Sequence, residues 1–109
     1  MPAETITRNL IVNERRTSLR LEPFFWRALE DIARREEVSL PQLVSAVERR
    51  LLATVGEVGN LHSSLRVFSA EYYWRATSER GHEMAAHGLG DPFTGTSLSA
   101  PPDRWVTAA

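Results

Sequence analysis

A short alternation ended by a proline limits the fold of this chain more than any other pattern. Polar and apolar residues alternate from Ser18 to Leu21, which is the two-residue period of a strand with one buried face. Glu22-Pro23 follows, and proline disfavours helical backbone for the preceding residue but fits the first turn of a helix. The strand is therefore predicted to end here and a helix to begin at Pro23.

Two amphipathic helices are predicted after the strand. In the first helix, Phe25, Leu29 and Ile32 form an apolar stripe at helical spacing, and Trp26 adjoins it. The second helix is predicted to begin at Ser39, because a serine followed three residues later by a glutamine is a capping-box pattern. Its apolar stripe consists of Leu40, Leu43, Val44, Val47 and Leu51.

A third helix is predicted from Leu61, after Asn60 as its cap, to about Arg75. Its apolar residues recur at helical spacing, at Leu61, Leu65, Phe68 and Tyr72. Residues 1–9 show no periodicity and are expected to form a flexible arm. Glycine, proline, serine and threonine accumulate towards the other end, so residues 76–109 are expected to form a flexible tail. The folded domain is thus predicted over residues 10–75.

The composition excludes several classes of protein. The chain has no cysteine, which excludes disulfides, thiolate metal sites and thiol nucleophiles. No apolar run approaches the roughly 20 residues that span a bilayer, and the N-terminus lacks the pattern of a secretory signal. We therefore expect a cytoplasmic protein without membrane contact. All 13 basic residues are arginine but the net charge is −1, so any basic surface must be local, as it is between Arg8 and Arg20.

Neither a metal site nor a catalytic site is predicted. His82 and His87 flank Glu83, but they are five residues apart, whereas the zinc-protease motif needs histidines four apart on one helix face. His62 and the two serines after it have no acid at a suitable neighbouring position, and adjacent helical residues point about 100° apart. The chain is therefore expected to be neither an enzyme nor a cofactor-binding protein.

A lone strand leaves its backbone N–H and C=O groups without partners, so a second copy is expected to pair with it. A strand followed by two helices with a sharp turn between them resembles the ribbon-helix-helix family, which includes the Arc and methionine repressors. The likeness lies in residues 16–23, Phe25-Trp26, Ala28-Leu29 and Val38-Ser39-Leu40. Residues 60–68 with Tyr72-Tyr73 resemble the third-helix extension of a bacterial subgroup. Family members often carry glycine in the turn between the two helices, where this chain has Glu37.

The resemblance implies a mainly α fold in which two chains intertwine. The N-terminal strands would pair antiparallel across a homodimer, with two helices and a third helix following in each chain. The predicted dimer core consists of Leu19, Leu21, Phe25, Leu29, Ile32, Leu43, Val44 and Val47.

The resemblance also implies how DNA would be bound. Since Leu19 and Leu21 point inwards, Arg16, Ser18 and Arg20 point outwards, and such a ribbon lies in the major groove. These three residues are the predicted base contacts. Backbone N–H groups at Ser39 and Leu40 are predicted to hold a DNA phosphate, as helix N-termini bind anions.

The function favoured on these grounds is a transcriptional regulator, expected to act as a repressor on double-stranded DNA. One alternative is the antitoxin of a toxin-antitoxin pair, whose C-terminal region wraps a toxin and folds on binding. The other is a ribbon-helix-helix dimer that serves as a protein-interaction module without DNA binding. The near-neutral net charge and the acidic residues around the first helix favour this last alternative.

Overall fold

The computed structural model describes residues 4–77, 93 and 96–98. Within them, two strands precede three helices: β1 (Ile6–Val12), β2 (Arg15–Leu21), α1 (Pro23–Arg35), α2 (Leu40–Thr54) and α3 (Leu61–Thr77). This order confirms the mainly α class with a short ribbon, two helices and a third helix. The starts of α1 at Pro23 and of α2 after Ser39 are as predicted.

The partner of the predicted strand differs from the expectation. Strand β2 pairs antiparallel with β1 of the same chain, in a register that places Asn9 opposite Ser18 and Val12 opposite Arg15. The ribbon is therefore a hairpin within one chain, and the predicted pairing across a homodimer is corrected. The prediction of a flexible arm over residues 1–9 is corrected at residues 6–9, which belong to β1.

A two-residue turn makes this pairing possible. Asn13 and Glu14 both have positive φ angles, 47° and 68°, which is the conformation that a type I′ hairpin turn requires. Asparagine tolerates this left-handed region better than most residues. Since the turn matches the natural twist of the strands, β1 folds directly back onto β2.

The core is closed within a single chain. Leu21, Leu29, Ile32, Val44 and Val47 are completely buried without any partner chain. Leu19 and Leu43 are nearly so, and Phe25 packs on the core while partly exposed. The residues predicted for a shared dimer core therefore face their own chain, because the hairpin and α3 cover the faces of α1 and α2 that a second copy was expected to cover.

The corner between α1 and α2 is tight. The Val38 N–H donates to the Ala33 carbonyl and the Glu37 N–H to that of Arg34, which is the Schellman pattern of a helix end. Glu37 has a φ angle of 59°, so the position where glycine was expected is indeed left-handed. Helix α2 then begins with the predicted capping box of Ser39 and Gln42.

Helix α3 packs its predicted apolar stripe on the core, and residues from farther along the chain pack on the same core. Phe68 and Tyr72 are buried, and the Ser63 N–H donates to the Asn60 side chain at 3.1 Å, so Asn60 caps the helix as predicted. Phe93 and Leu98 are also buried in the core. The prediction of a flexible tail is therefore corrected at residues 76 and 77, which are helical, and at 93 and 96–98, which pack against the domain.

The rest of the predicted tail, including His82, Glu83 and His87, lies outside the described residues. Among the helices that are described, none is both long and apolar enough to cross a membrane.

Candidate nucleic-acid interface

The hairpin has one face packed on the core and one face in solvent. Alternation along β1 and β2 buries Leu10, Val12, Leu19 and Leu21 on the inner side. The side chains between them are all exposed and form what we call the outer face: Thr7, Asn9, Ile11, Arg16, Ser18 and Arg20. The outward orientation predicted for Arg16, Ser18 and Arg20 is thus the one observed.

The basic residues of the hairpin divide between its two sides. Arg8 lies on the inner side, with its guanidinium 3.3 Å from the Glu30 carboxylate and 4.9 Å from the centre of the Trp26 ring. Arg15 pairs with the Glu48 carboxylate. Within the described part of the chain, Arg16 and Arg20 have no ion-pair partner. Half of the local positive charge is therefore neutralised by the domain, and the other half is presented outwards.

The centre of the outer face is a pair of polar side chains on opposite strands. Ser18 Oγ donates to Asn9 Oδ1 at 2.8 Å, and the two residues are directly opposite in the ladder. Arg20 lies opposite Thr7, and Arg16 opposite Ile11. The face thus presents an amide and a hydroxyl between two guanidinium groups.

Thr7, Asn9 and Ile11 were not predicted for this face. Arg8 and Ile11 interrupt a simple alternation of polar and apolar residues in β1, so this segment did not have the pattern of a strand. The signal that would have revealed it is Asn13-Glu14, placed between two segments of equal length.

The tip of the hairpin is fixed to α2 by Asn13. Its backbone N–H donates to Ser45 Oγ, and its side-chain Nδ2 donates to the Ser45 carbonyl, both at 3.1 Å. Nδ2 also donates to Glu48 Oε1 at 2.9 Å, while Oδ1 accepts from Arg49 Nη1 at 2.8 Å. One turn residue thereby ties the ribbon to three positions of α2.

The buried Glu48 carboxylate completes this attachment. The hydrogen bond from Arg15 lowers the pKa of Glu48, and the bond from Asn13 lowers it further, against the opposing effect of burial. Glu48 is only 5% exposed, so it is held as an anion by these partners. The ionised side chain keeps the hairpin tip and the start of β2 on the helix.

The base of the hairpin has its own attachments. Trp26 Nε1 donates to the Ile6 carbonyl at 2.8 Å, which joins the start of β1 to α1. Immediately after β2, Glu22 accepts two hydrogen bonds from Arg66 of α3, from Nε at 2.9 Å and from Nη2 at 3.3 Å. The bonds from Arg66 lower the pKa of Glu22. Both ends of the ribbon are thus held, and the outer face is presented on a fixed support.

The predicted phosphate site at the start of α2 has few free donors. The Gln42 N–H donates to Ser39 Oγ at 3.2 Å, and the Ser39 N–H donates to Gln42 Oε1 at 2.8 Å. Pro41 has no N–H. Of the first-turn amides in this described segment, Leu40 alone remains available. The helix end therefore offers an anion one backbone donor, and the dipole of the helix.

No group of histidine, cysteine, aspartate and glutamate side chains within the described residues has the arrangement of a metal site. The outer face of the hairpin presents guanidinium, amide and hydroxyl groups, which can form hydrogen bonds.

Comparison with known proteins places this arrangement in a family. A model of the ribbon-helix-helix domain matches residues 5–73, which include both strands, α1, α2 and most of α3. The chain belongs to the ribbon-helix-helix family. Domains of this family typically bind DNA as dimers and are typically not enzymes.

A solved structure shares the fold of this ribbon-helix-helix protein. It is an uncharacterized protein from Bordetella pertussis Tohama I, 27% identical in sequence, with a TM-score of 0.66. The similarity covers 93% of this chain and 82% of the other chain. No curated protein matches this chain.

Proposed function

We propose that this protein is a transcriptional regulator that binds double-stranded DNA in the major groove through the outer face of its hairpin. The observation that carries the proposal is the exposure of Arg16, Ser18 and Arg20 on one side of a ribbon whose other side is buried. Neither arginine has an acidic partner within the described residues, so both guanidinium groups are free to bind DNA.

The dimensions of the hairpin support this mode of binding. The major groove is about 12 Å wide and admits a two-stranded ribbon, whose strands lie about 4.8 Å apart. Arg16 and Arg20 are four residues apart on β2, which is about 13 Å along an extended strand. Each arginine can bind O6 and N7 of a guanine with two hydrogen bonds, and Ser18 can accept from a base between them.

Phosphate contact at α2 is the smaller part of the proposal. Because the capping box uses the amides of Ser39 and Gln42, the N–H of Leu40 is the donor left for a DNA phosphate. With a net charge of −1, the protein is expected to bind non-specific DNA more weakly than strongly basic repressors do.

We propose that two copies act together as a repressor, since ribbon-helix-helix proteins act on DNA as dimers. Pairing β2 of one copy with β2 of another would make a four-stranded sheet about 14 Å across its strands. This is wider than the groove. Each copy is therefore expected to use its own hairpin on its own half-site, and the operator is expected to be palindromic or repeated.

Selection of DNA from a randomised duplex library by the purified protein tests this function. The wild-type protein is expected to enrich one sequence, and Arg20→Ala is expected to bind it roughly 5- to 150-fold more weakly, the value of one bidentate contact. Arg27→Ala is the matched control, because Arg27 is an exposed arginine on α1, away from the outer face. Failure of the folded wild-type protein to enrich any sequence would contradict the proposal.

Two exposed aromatic residues favour a second candidate, a protein-interaction module without DNA binding. Trp74 is 80% exposed on α3 and Phe24 is 62% exposed on α1. Aromatic residues are enriched in protein interfaces, where their large surfaces become buried. This candidate predicts that no DNA sequence is enriched, and that Trp74→Ala abolishes binding to a protein partner without changing the fold.

A further inference from the structure

The first strand of the hairpin contributes an asparagine to the middle of the outer face. Asn9 is exposed and lies directly opposite Ser18 of β2. On β2, Arg16 lies two residues before Ser18 and Arg20 two residues after it. In an antiparallel pair, directly opposite side chains have their Cβ atoms about 4.5–5.5 Å apart. The amide of Asn9 and the hydroxyl of Ser18 are therefore close enough to approach the same base pair.

The hydrogen bond between these residues fixes the orientation of the amide. Asn9 Oδ1 accepts from Ser18 Oγ at 2.8 Å. A carbonyl oxygen has two lone pairs, so one remains free. The Nδ2 group has two N–H donors, neither of which has a partner within the residues that the structure describes. Asn9 thus presents one acceptor and two donors to the solvent in an orientation held by Ser18.

These free groups match the edge of one base. In the major groove, adenine presents its N6 amino group as a donor and N7 as an acceptor, and asparagine binds both at once. Oδ1 of Asn9 would accept from N6, and Nδ2 would donate to N7. Ser18 holds the amide from the opposite strand, so less side-chain freedom remains to be lost when DNA binds.

We propose that Asn9 reads an adenine in the major groove and that Ser18 is its positioning residue. The inference rests on the proposed DNA-binding function and extends it to β1. The recognised sequence then contains an adenine between the base pairs that Arg16 and Arg20 contact, so both strands of the hairpin specify the site.

The experiment begins from the sequence that the wild-type protein enriches. Asn9→Ala is expected to lose the preference for adenine at one position and to bind the site roughly 5- to 150-fold more weakly. Arg27→Ala is the control, since Arg27 is an exposed residue of α1 away from the outer face. It is expected to keep the adenine preference. Circular dichroism of each variant verifies that it is folded.

Substitution of the adenine by 7-deazaadenine tests the contact directly, because this base lacks the N7 acceptor. The substitution is expected to weaken binding of the wild-type protein several-fold and to leave binding of Asn9→Ala unchanged. Ser18→Ala is expected to have a smaller response to the substitution than the wild-type protein, because its asparagine is no longer oriented.

The outcomes separate this inference from the function on which it rests. If the wild-type protein enriches no sequence, the proposed function fails. If it enriches a sequence and Asn9→Ala enriches the same one with unchanged base frequencies, the function stands and the role of Asn9 is overturned. An equal response of both proteins to 7-deazaadenine would overturn it as well.

Discussion

Glu48 joins both the turn and the second strand of the hairpin to α2. It is buried in α2, accepts from Asn13 of the turn and pairs with Arg15 of β2. The bond from Arg15 is the main reason that the pKa of Glu48 lies below its ordinary value of 4.5. A carboxylate that is stabilised only in the folded state stabilises the fold where it is ionised, and this stabilisation is lost as the pH falls.

Glu48→Gln is expected to lower the free energy of unfolding by about 1.5–3 kcal/mol at pH 7, because a hydrogen bond to a charged group is lost. The folded-state pKa is lowered, so the contribution of Glu48 is complete above pH 4.5 and disappears as the pH falls through the lowered value. The difference in free energy of unfolding between the wild-type protein and Glu48→Gln should therefore become smaller below about pH 4.5. Urea unfolding of both proteins at pH 7 and at pH 3 measures this difference.

The controls for this experiment are within the same chain. Glu22 and Asp31 also have lowered pKa values, but they are present in both proteins and cancel in the difference. Glu57→Gln removes an exposed carboxylate in the loop before α3 and should leave stability unchanged. A difference between wild type and Glu48→Gln that is the same at both pH values would contradict the role assigned to Glu48.

At the scale of elements, the connection between α1 and α2 contains a residue in an unfavourable conformation. Glu37 has a φ angle of 59°, where a Cβ atom is close to the backbone carbonyl. Its N–H bonds to Arg34, and the N–H of Val38 bonds to Ala33, so the helix end requires this conformation. A residue without a Cβ atom would adopt it without strain.

Glu37→Gly is expected to raise the free energy of unfolding by up to about 1 kcal/mol, because relief of the left-handed strain exceeds the extra entropy of an unfolded glycine. For a domain of this size, that is a rise of roughly 4–8 °C in Tm. Glu37→Ala is the matched variant, since it removes the charge and keeps the Cβ atom. Equal Tm values for the two variants would show that strain at this position does not limit stability.

The helices were easier to predict than the ribbon. Pro23, the Ser39 capping box and the stripe from Leu61 to Tyr72 are local signals, and each helix begins where its signal lies. Strand β1 has no such signal among its own residues, because Arg8 occupies an inner position beside Trp26 and Ile11 is exposed. The signal for the strand lies in the Asn13-Glu14 turn that follows it. Which side chains of β1 face inwards depends on contacts with residues distant in sequence, such as Trp26 and Glu30 beside Arg8. The outward face of β2 could therefore be predicted, whereas the contribution of β1 could not.

At the scale of the molecule, the core is completed by residues far from the domain in sequence. Phe93 is 3% exposed, its ring centre is 5.2 Å from that of Phe68, and the Arg50 guanidinium lies 4.5 Å from it. Leu98 is buried in the same core. The composition of the region after residue 78 suggested disorder, because two isolated apolar residues form no periodic pattern.

Phe93→Ala is expected to lower the free energy of unfolding by about 3 kcal/mol, the cost of removing a buried aromatic ring. Trp74→Ala removes a ring of larger size that is 80% exposed and should change stability little. Thermal unfolding by circular dichroism compares the two. If Phe93→Ala were as stable as Trp74→Ala, the segment around residue 93 would contribute nothing to the core.

The intrachain hairpin has a genetic consequence. When a ribbon is built from one strand of each subunit, a defective subunit also disrupts the ribbon that it shares with a normal subunit. Here every polypeptide encodes both strands of its own ribbon. If two copies act together as proposed, a pair made of one damaged and one normal chain would therefore keep one complete ribbon and bind one half-site of the operator.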